Sequence, residues 1–371
     1  MNDAADRRGA DDGRYERLVD RAIGERREAL AHVASGRIVA ISLQRASWRG
    51  VRALFNDIFA ARITAIDRPR RGAFVDLGLI GDVGFLPLDA AGRARGPQGP
   101  VAIQEGKLVS VAVVREAARG KSPVVRLLGE NPDHVRPCLV ARREPQDDPL
   151  RPHDLEVRAR IDEALESALE RRVALPGGGA LSIEPTAALV AIDVDGAGRR
   201  GPDDGERFAY ELNLRAAPEI ARQVRLRRLG GIIAVDFVSM RARAHQKKVA
   251  EAMTAALAEA PSRVRTAPIS PFGVMEFALA QQETPLHEVL CDETGRLTPE
   301  TVALMALRRI EREAAAQRGA RLVLRASSEV VAELEPDRWD WRAALADRIG
   351  PRFALEAVAW FARDHMEVVC S

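Results

Sequence analysis

Residues 189–195 read LVAIDVD, and residues 231–238 read GIIAVDFV. Each stretch is a short apolar run followed by an aspartate, Asp193 in the first and Asp236 in the second. Such runs predict buried β-strands, and the helical segments around them predict an α/β unit. Ligands of open α/β sheets collect at the carboxyl ends of the strands. We therefore expect Asp193 and Asp236 to lie at neighbouring strand ends.

A carboxylate that follows a buried strand needs a partner, a hydrogen-bond network or a metal ion. Two such groups suit Mg²⁺, which typically takes one or two carboxylates and keeps several waters. Asp195 faces the same way as Asp193 if the strand is extended. It is a candidate third ligand, a group that orients Asp193, or a solvated turn residue. For the pair itself, the alternative is that each aspartate caps a turn.

An arginine-rich segment, ARQVRLRRLGG at residues 221–231, leads into the second strand. We predict a helix over residues 217–229, with Pro218 in its first turn and Gly230 and Gly231 at its end. The arginines around this helix are Arg222, Arg225, Arg227 and Arg228. Beside a metal site they would provide phosphate contacts of the kind that a phosphodiesterase uses. The alternative is a solvated helix face.

Residues 53–130 contain five short candidate strands separated by turn-rich segments, which is typical of an OB-type barrel. The candidate strands cover residues 58–66, 72–77, 83–86, 107–115 and 124–128. Phe74 and Phe85 lie on consecutive strands, where exposed rings would stack on bases. The alternative is that both are core residues. Lys121 lies in a basic hairpin, REAARGKSP, and either contacts phosphate or belongs to a solvated turn.

The hydrophobic pattern divides the 371 residues into several units. The first predicted unit, 1–36, comprises a disordered lead over 1–13 and a helix over 14–35, and residues 37–52 form a strand segment that packs with the linker region. The barrel covers 53–130, and residues 131–185 contain a linker at 142–154 and a helix over 154–171. The α/β unit covers 186–292, and a small C-terminal α/β subdomain covers 293–371.

The formal net charge of +2 does not by itself indicate a nucleic-acid-binding protein. The basic side chains are nearly all arginine, which suits phosphate and stacks on bases, although a general preference for arginine explains the bias equally well. Three widely spaced cysteines, Cys138, Cys291 and Cys370, argue against a disulfide framework. No apolar run approaches the roughly 20 residues that cross a bilayer. We expect a cytoplasmic protein with no membrane partner.

Beyond these local patterns, several ordered blocks of the sequence resemble the ribonuclease E/G family of bacterial endoribonucleases. The blocks are LVAIDVDGAG at 189–198, ELNLRAAPEIARQVRLRRLGGIIAVDFVSM at 211–240, HQKKV at 245–249 and ISPFGVMEFALAQQ at 269–282. Residues 171–189 resemble the approach to the family's catalytic region. NDIFAARI at 56–63 and RRGAFVDLGLIGDVGFLPL at 70–88 resemble the family's S1 domain.

The resemblance implies a role for each candidate residue. Asp193 and Asp236 match the pair that holds catalytic magnesium. Asp195 stands where the family usually has an asparagine that orients the first aspartate. The barrel residues Phe74, Phe85 and Lys121 match an S1 surface that contacts RNA. The basic helix that carries Arg222, Arg225 and Arg227 would help to position the strand.

The sequence also departs from the family pattern. We find no Arg-Thr pair of the kind with which the family's 5′-sensor region reads a terminal monophosphate. Near Cys291 the chain reads LCDETGRLTPE, where the family has a CPxC zinc link between subunits. We therefore expect no stoichiometric zinc, no zinc-linked dimer and no preference for a 5′ monophosphate, and the oligomeric state stays open. Pro271 stands where the family often has arginine.

Taken together, the residues and the resemblance predict a multidomain α+β and α/β protein. It would contain an S1-type OB barrel, an α/β nuclease domain and a small C-terminal α/β subdomain. The expected function is magnesium-dependent endoribonuclease activity on single-stranded RNA, with a metal-activated water as nucleophile. One alternative is a non-catalytic RNA-binding protein of the same fold. A scaffold for other RNA-processing proteins is a further alternative that no residue favours.

Overall fold

The structure is a computed structural model that describes residues 14–81, 83–118, 120–131, 133–142, 155–196, 205–259, 263–337 and 339–370. These residues form a mixed α+β architecture with seven α-helices and several separate β-sheets. The predicted disordered lead over residues 1–13 and all but the first residue of the predicted linker at 142–154 lie outside the described residues.

An antiparallel sheet of three strands opens the described chain. Its strands are β1 (Tyr15–Ala22), β2 (Glu25–His32) and β3 (Ile38–Arg45). The predicted helix over residues 14–35 is therefore wrong. Every second residue of β2 is buried, and the buried set includes the charged Glu25 and Arg27. These charged residues form ion pairs inside the protein. In the sequence they were expected to face solvent, so the alternation of buried and exposed residues along the strand was not recognised.

Five strands between residues 58 and 130 close into a barrel, as predicted. They are β4 (Ile58–Asp67), β5 (Gly72–Asp76), β6 (Val83–Pro87), β9 (Leu108–Arg115) and β10 (Val124–Glu130). The barrel closes through pairing of β4 with β9, and β6 and β10 run parallel. The chain between β6 and β9 forms a hairpin of β7 (Arg93–Gly96) and β8 (Gly99–Ala102), and β11 (Cys138–Ala141) extends the barrel sheet beside β4. The S1 assignment of this barrel stays a prediction.

A second sheet of six strands has the order β12-β13-β14-β15-β17-β16. Its strands are β12 (Arg172–Ala174), β13 (Ala180–Pro185), β14 (Val190–Asp195), β15 (Gly231–Asp236), β16 (Val264–Thr266) and β17 (Val274–Leu279). Only β14 and β15 run parallel to each other. Because β12 and β13 precede residue 186, the sheet extends further toward the N-terminus than the predicted α/β unit.

Three helices pack beside these sheets. They are α1 (Leu155–Leu169), close to its predicted range, α2 (Gly205–Leu226) and α3 (Arg243–Leu257). Helices α2 and α3 cover one face of the six-stranded sheet, where their apolar residues share a core with Ile192 and Val235. Helix α1 packs against the N-terminal sheet, with Ile161 fully buried among residues of β1 and β3.

Helix α2 begins well before the predicted start, so Pro218 lies inside it rather than in its first turn. A proline there cannot donate a hydrogen bond to the carbonyl of Leu214. The helix continues because buried residues on both sides of the proline, such as Leu212 and Ile220, pack on the sheet. The chain leaves the helix at Arg228, which has a positive φ of 56°.

The C-terminal residues form a three-stranded sheet with helices packed on it. The helices are α4 (Leu286–Leu290), α5 (Pro299–Ala316), α6 (Ser328–Leu334) and α7 (Trp341–Ile349), and the strands are β18 (Leu322–Ala326), β19 (Phe353–Ala357) and β20 (Met366–Cys370). Residues 293–371 were predicted as a small C-terminal α/β subdomain, and both helices and strands occur there. Among the described residues, no helix is both long and apolar enough to cross a membrane.

Candidate active site

Asp193 and Asp236 lie side by side on the two parallel strands of the six-stranded sheet. The register of β14 and β15 places them directly opposite each other. Neighbouring strands are about 4.8 Å apart, so two carboxylates in this register can reach one cation. The juxtaposition expected from the sequence is therefore present.

The strands that carry the aspartates are buried on one face only. Ile192 and Val194 are buried under the helices, whereas Ala191 and Asp193 are exposed. The prediction of buried strands therefore holds for one face of the sheet and not for the other. The open face of β14 carries the small Ala191, which made the run look uniformly apolar in the sequence. The carboxylates are consequently accessible to a ligand as large as a nucleic acid.

Several negative charges converge at the pair. Burial raises the pKa of Asp193, and the neighbouring carboxylates of Asp236 and Asp195 raise it further. Asp195 lies on the same face of β14, as predicted, and its Oδ2 accepts a hydrogen bond of 2.7 Å from Nη2 of Arg172. Repulsion between Asp193 and Asp236 favours either a proton or a bound cation between them.

A cleft of about 350 Å³ opens above the two carboxylates. Its lining comprises Asp193, Val194, Asp236, Phe237, Val238, Ser239, Met240, Gln246, Ile269, Pro271, Phe272 and Gly273. The segment after β15 forms one wall, and the turn before β17 forms the opposite wall. Both walls leave the sheet at the strand ends, where the topology places ligands.

Asn213 fixes the wall that follows Asp236. Its side chain is fully buried in α2. It donates to the carbonyl of Val238 at 2.8 Å and accepts from the amide of the same residue at 3.1 Å. This two-bond contact holds the chain as it leaves β15. The sequence analysis did not single out Asn213, although an asparagine on the apolar side of a helix was an available signal.

The donor set around the cleft fits a hard cation that retains much of its water shell. Within the described residues, no group of three or more histidine, cysteine, aspartate or glutamate side chains is arranged to hold a metal. Two carboxylate oxygens in register remain as candidate ligands, since Asp195 is already paired with Arg172. Magnesium is commonly held by one or two carboxylates, whereas structural zinc takes four nitrogen or sulfur ligands.

Arg222, Arg227 and Arg228 point into the protein rather than toward the cleft. Arg222 donates to the carbonyl of Ile38 at 2.7 Å. Arg227 is 6% exposed, and burial together with the charge of Arg222 lowers its pKa to about 10. Arg228 donates to the carbonyl of Ile41 at 3.0 Å. These three residues hold β3 and the last turn of α1, where Arg227 donates to the carbonyl of Ser167, so we propose no phosphate contact for them.

Arg225 has a different environment. Its guanidinium lies 5.1 Å from the ring centroid of Tyr15, on the first strand of the N-terminal sheet. A cation over an aromatic face is stabilised by the ring quadrupole. The described contact therefore joins α2 to β1 and does not place Arg225 at the carboxylates.

Phe74 and Phe85 form a pair on the outer surface of the barrel. They are register partners on β5 and β6, and their ring centroids are 5.8 Å apart in an edge-to-face arrangement. Neither ring belongs to the barrel core, and both are half-buried. The ring of Phe85 lies over Gly72, where an added Cβ would be only 2.0 Å from it. The alternative of two core residues is excluded by this placement.

Lys121 is exposed in the turn that leads into β10. That turn is closed by a bridge between Ala118 and Lys121. The first residue of β10, Val124, is the register partner of Phe85. Lys121 therefore lies three positions before the strand residue that pairs with Phe85.

Comparison with known proteins identifies the part of the chain that contains the carboxylates. Residues 139–281 match the Ribonuclease E/G family. Over this segment the chain is similar to that family. The resemblance noted from the sequence is thereby confirmed for these residues. The matched segment contains β12 to β17, and with them Asp193, Asp236 and the cleft.

Individual relatives extend the match. The chain is 40% identical to Ribonuclease E of Escherichia coli (strain K12) over 161 residues, which cover 42% of this chain and 15% of that protein. It is 38% identical over 161 residues to Ribonuclease E of Haemophilus influenzae, with 17% of that protein covered. It is 32% identical to Ribonuclease G of Salmonella typhimurium over 221 residues, which cover 56% of this chain and 44% of that protein. The chain thus spans less than half the length of these relatives.

Proposed function

We propose that this chain is a magnesium-dependent endoribonuclease that hydrolyses phosphodiester bonds in single-stranded RNA. The observation that carries the proposal is the pair Asp193 and Asp236, in register on two strands of the segment that matches the ribonuclease E/G family and open to a cleft. Relatives named Ribonuclease E and Ribonuclease G support RNA as the substrate.

Asp193 and Asp236 would hold the magnesium ion, which supplies charge stabilisation at the scissile phosphate and a water that ionises more readily. The remaining tasks belong to the protein. Asp195 keeps Arg172 beside the site through a 2.7 Å contact. Asn213 fixes the backbone after Asp236. Together these contacts hold the ligand oxygens in one arrangement before RNA arrives, which lowers the cost of organising the site.

The barrel would bind the RNA strand outside the cleft. We propose that it is an S1-type OB barrel in which Phe74 and Phe85 stack on bases and Lys121 contacts a phosphate. The side chain of Glu116, which precedes Lys121 in the barrel, accepts a hydrogen bond from the Thr284 amide at 3.0 Å. This contact joins the barrel to the chain that follows β17, a strand of the sheet that carries the two aspartates.

The proposal is tested by incubating the purified protein with an end-labelled single-stranded RNA, with and without magnesium. We expect internal cleavage only with magnesium. Binding without cleavage in the presence of magnesium would support the non-catalytic alternative. Absence of both binding and cleavage would overturn the proposal.

Asp195→Asn is expected to preserve or raise the cleavage rate. It removes one negative charge beside Asp193 and restores the amide that the family usually has at this position. Glu184→Gln is a matched control, because the charge of Glu184 also raises the pKa of Asp193 but its side chain pairs with Arg171, which lies just before β12. A magnesium titration measures the effect. A clearly higher half-saturating concentration in Asp195→Asn alone would show that Asp195 is a metal ligand.

Phe74→Ala and Phe85→Ala are each expected to weaken RNA binding by roughly 1–3 kcal/mol, the contribution of one stacked base. Stability should change little, because neither ring lies in the barrel core. Phe59→Ala provides the contrast, since Phe59 is fully buried and its truncation should cost about 3–5 kcal/mol of stability. RNA titrations and thermal melting distinguish the two effects. Unchanged affinity in a stable Phe74 or Phe85 variant would remove that ring from the binding surface.

A further inference from the structure

Phe272 stands beside the carboxylate pair with nearly all of its side chain in water. It is 90% exposed and lines the cleft that contains Asp193 and Asp236. A single exposed apolar residue is common and needs no function. The position of this residue, and the construction of the turn beneath it, carry the inference.

The turn that presents Phe272 is held on both sides. The amide of Gly273 donates to the carbonyl of Ser270 at 3.0 Å, and the amide of Ser270 donates to the carbonyl of Val274 at 2.9 Å. Pro271 occupies the second turn position, where its restricted φ favours the bend. Gly273 has a φ of +89°, a conformation that side-chain-bearing residues rarely adopt. The backbone is thus organised in advance, and ordering it on ligand binding would cost little.

The same turn lies directly against one of the carboxylates. Val274 is the register partner of Asp236. A Cβ added at Gly273 would be 3.9 Å from the Oδ1 atom of Asp236. The ring of Phe272 is therefore carried on the wall of the cleft nearest to Asp236. Within the described residues it belongs to none of the hydrophobic cores.

We propose that Phe272 is a positioning residue whose ring stacks on an unpaired nucleobase next to the scissile phosphate. This inference rests on the proposed function. The turn sequence SPFG contains no basic residue, so it offers RNA an aromatic surface and not a phosphate contact. Stacking is available to every base, because each has a π-face. The contact would fix the strand beside carboxylates that repel its phosphates, and it would do so without selecting a particular sequence.

The first test measures binding of a short fluorescent single-stranded RNA in the presence of EDTA, so that turnover plays no part. Phe272→Ala should weaken binding about tenfold, whereas Phe272→Trp should retain it. Trp360→Ala is the matched control, since Trp360 is 80% exposed but lies beyond β19 on the C-terminal sheet. Equal affinities for wild type and Phe272→Ala would overturn the stacking role alone. Wild-type protein that neither binds nor cuts RNA would overturn the proposed function, and the stacking role with it.

A second test asks whether the partner is a base. An RNA whose cleavage position has been mapped is synthesised with one abasic nucleotide, placed in turn at each position around that site. At one position the abasic substitution should weaken RNA binding by the wild-type protein about tenfold. The same substitution should not further weaken RNA binding by the Phe272→Ala variant, because both changes remove the same contact. Full additivity at every position would show that Phe272 does not stack on a base.

Discussion

Asp193→Asn and Asp236→Asn are each expected to lower the rate of magnesium-dependent RNA cleavage at least about 100-fold, by analogy with the loss of one group that stabilises a transition state. Each change replaces a charged oxygen ligand by a neutral amide at a site that has only two carboxylates in register. The metal affinity and the charge stabilisation at the phosphate should both fall, because both depend on the full negative charge of the pair.

Neither substitution should destabilise the protein. Both side chains are exposed on the open face of the sheet. Asp193 is already repelled by its neighbours, as its raised pKa indicates, so removal of one charge relieves repulsion. Thermal melting should therefore match the wild type within experimental error, and the loss of activity can be assigned to the site.

The control for these variants is Glu276→Gln on the adjacent strand. Glu276 is exposed on the same side of the sheet as Asp236 but pairs in register with Ala234. The Glu276→Gln variant should cut RNA at the wild-type rate. Single-turnover cleavage across a magnesium series makes the comparison. A near-normal rate in either aspartate variant would contradict the proposed metal site.

Arg27→Met is expected to lower the free energy of unfolding by about 3–5 kcal/mol, because it removes one of the two arginine partners of the buried carboxylate of Asp20. Arg27 is fully buried and contacts the carboxylates of Asp20 and Asp162. Burial alone would raise the pKa of Asp20, but the guanidinium groups of Arg27 and Arg158 hold it below its usual value. The charge of Asp20 is thus retained inside the protein only with these arginines present.

The network around Arg27 joins distant parts of the chain, which is why a large effect is expected. Arg158 of α1 pairs with Glu311 of α5 at 2.6 Å. Glu25 of β2 pairs with Arg308 of α5 at 2.8 Å. The N-terminal sheet is held to α1 and to the C-terminal helices through these charges. A loss of this size is a substantial fraction of the total stability of a typical domain.

The matched control for Arg27→Met is Arg70→Met. Arg70 forms an exposed ion pair with Asp67 at 3.0 Å, and such surface pairs contribute about 0–1 kcal/mol. Urea denaturation followed by tryptophan fluorescence measures both variants. Equal urea midpoints for Arg27→Met and Arg70→Met would show that Arg27, with its ion pairs in the buried network, gives no more net stability than a methionine in its place.

Much of the site could be predicted from local sequence. The aspartates were found because each follows a run of apolar residues that only a strand accommodates at that length. The five barrel strands were found because turn residues separate them. Two features were missed within the same region. Pro218 was placed at the start of α2 because its missing amide argues against a helix interior, and Phe272 drew no attention because a phenylalanine is usually a core residue.

By itself the sequence determined the carboxylate pair, the barrel strands and the match of residues 139–281 to the ribonuclease E/G family. Only the tertiary structure decided which charged residues face inward. Arg45 meets its partner Glu300 across 255 positions of the chain, and Arg222 meets the carbonyl of Ile38 across 184. An arginine can be buried only where an acceptor compensates its charge. Such acceptors lie far away in sequence, so local pattern assigned the N-terminal strands to a helix.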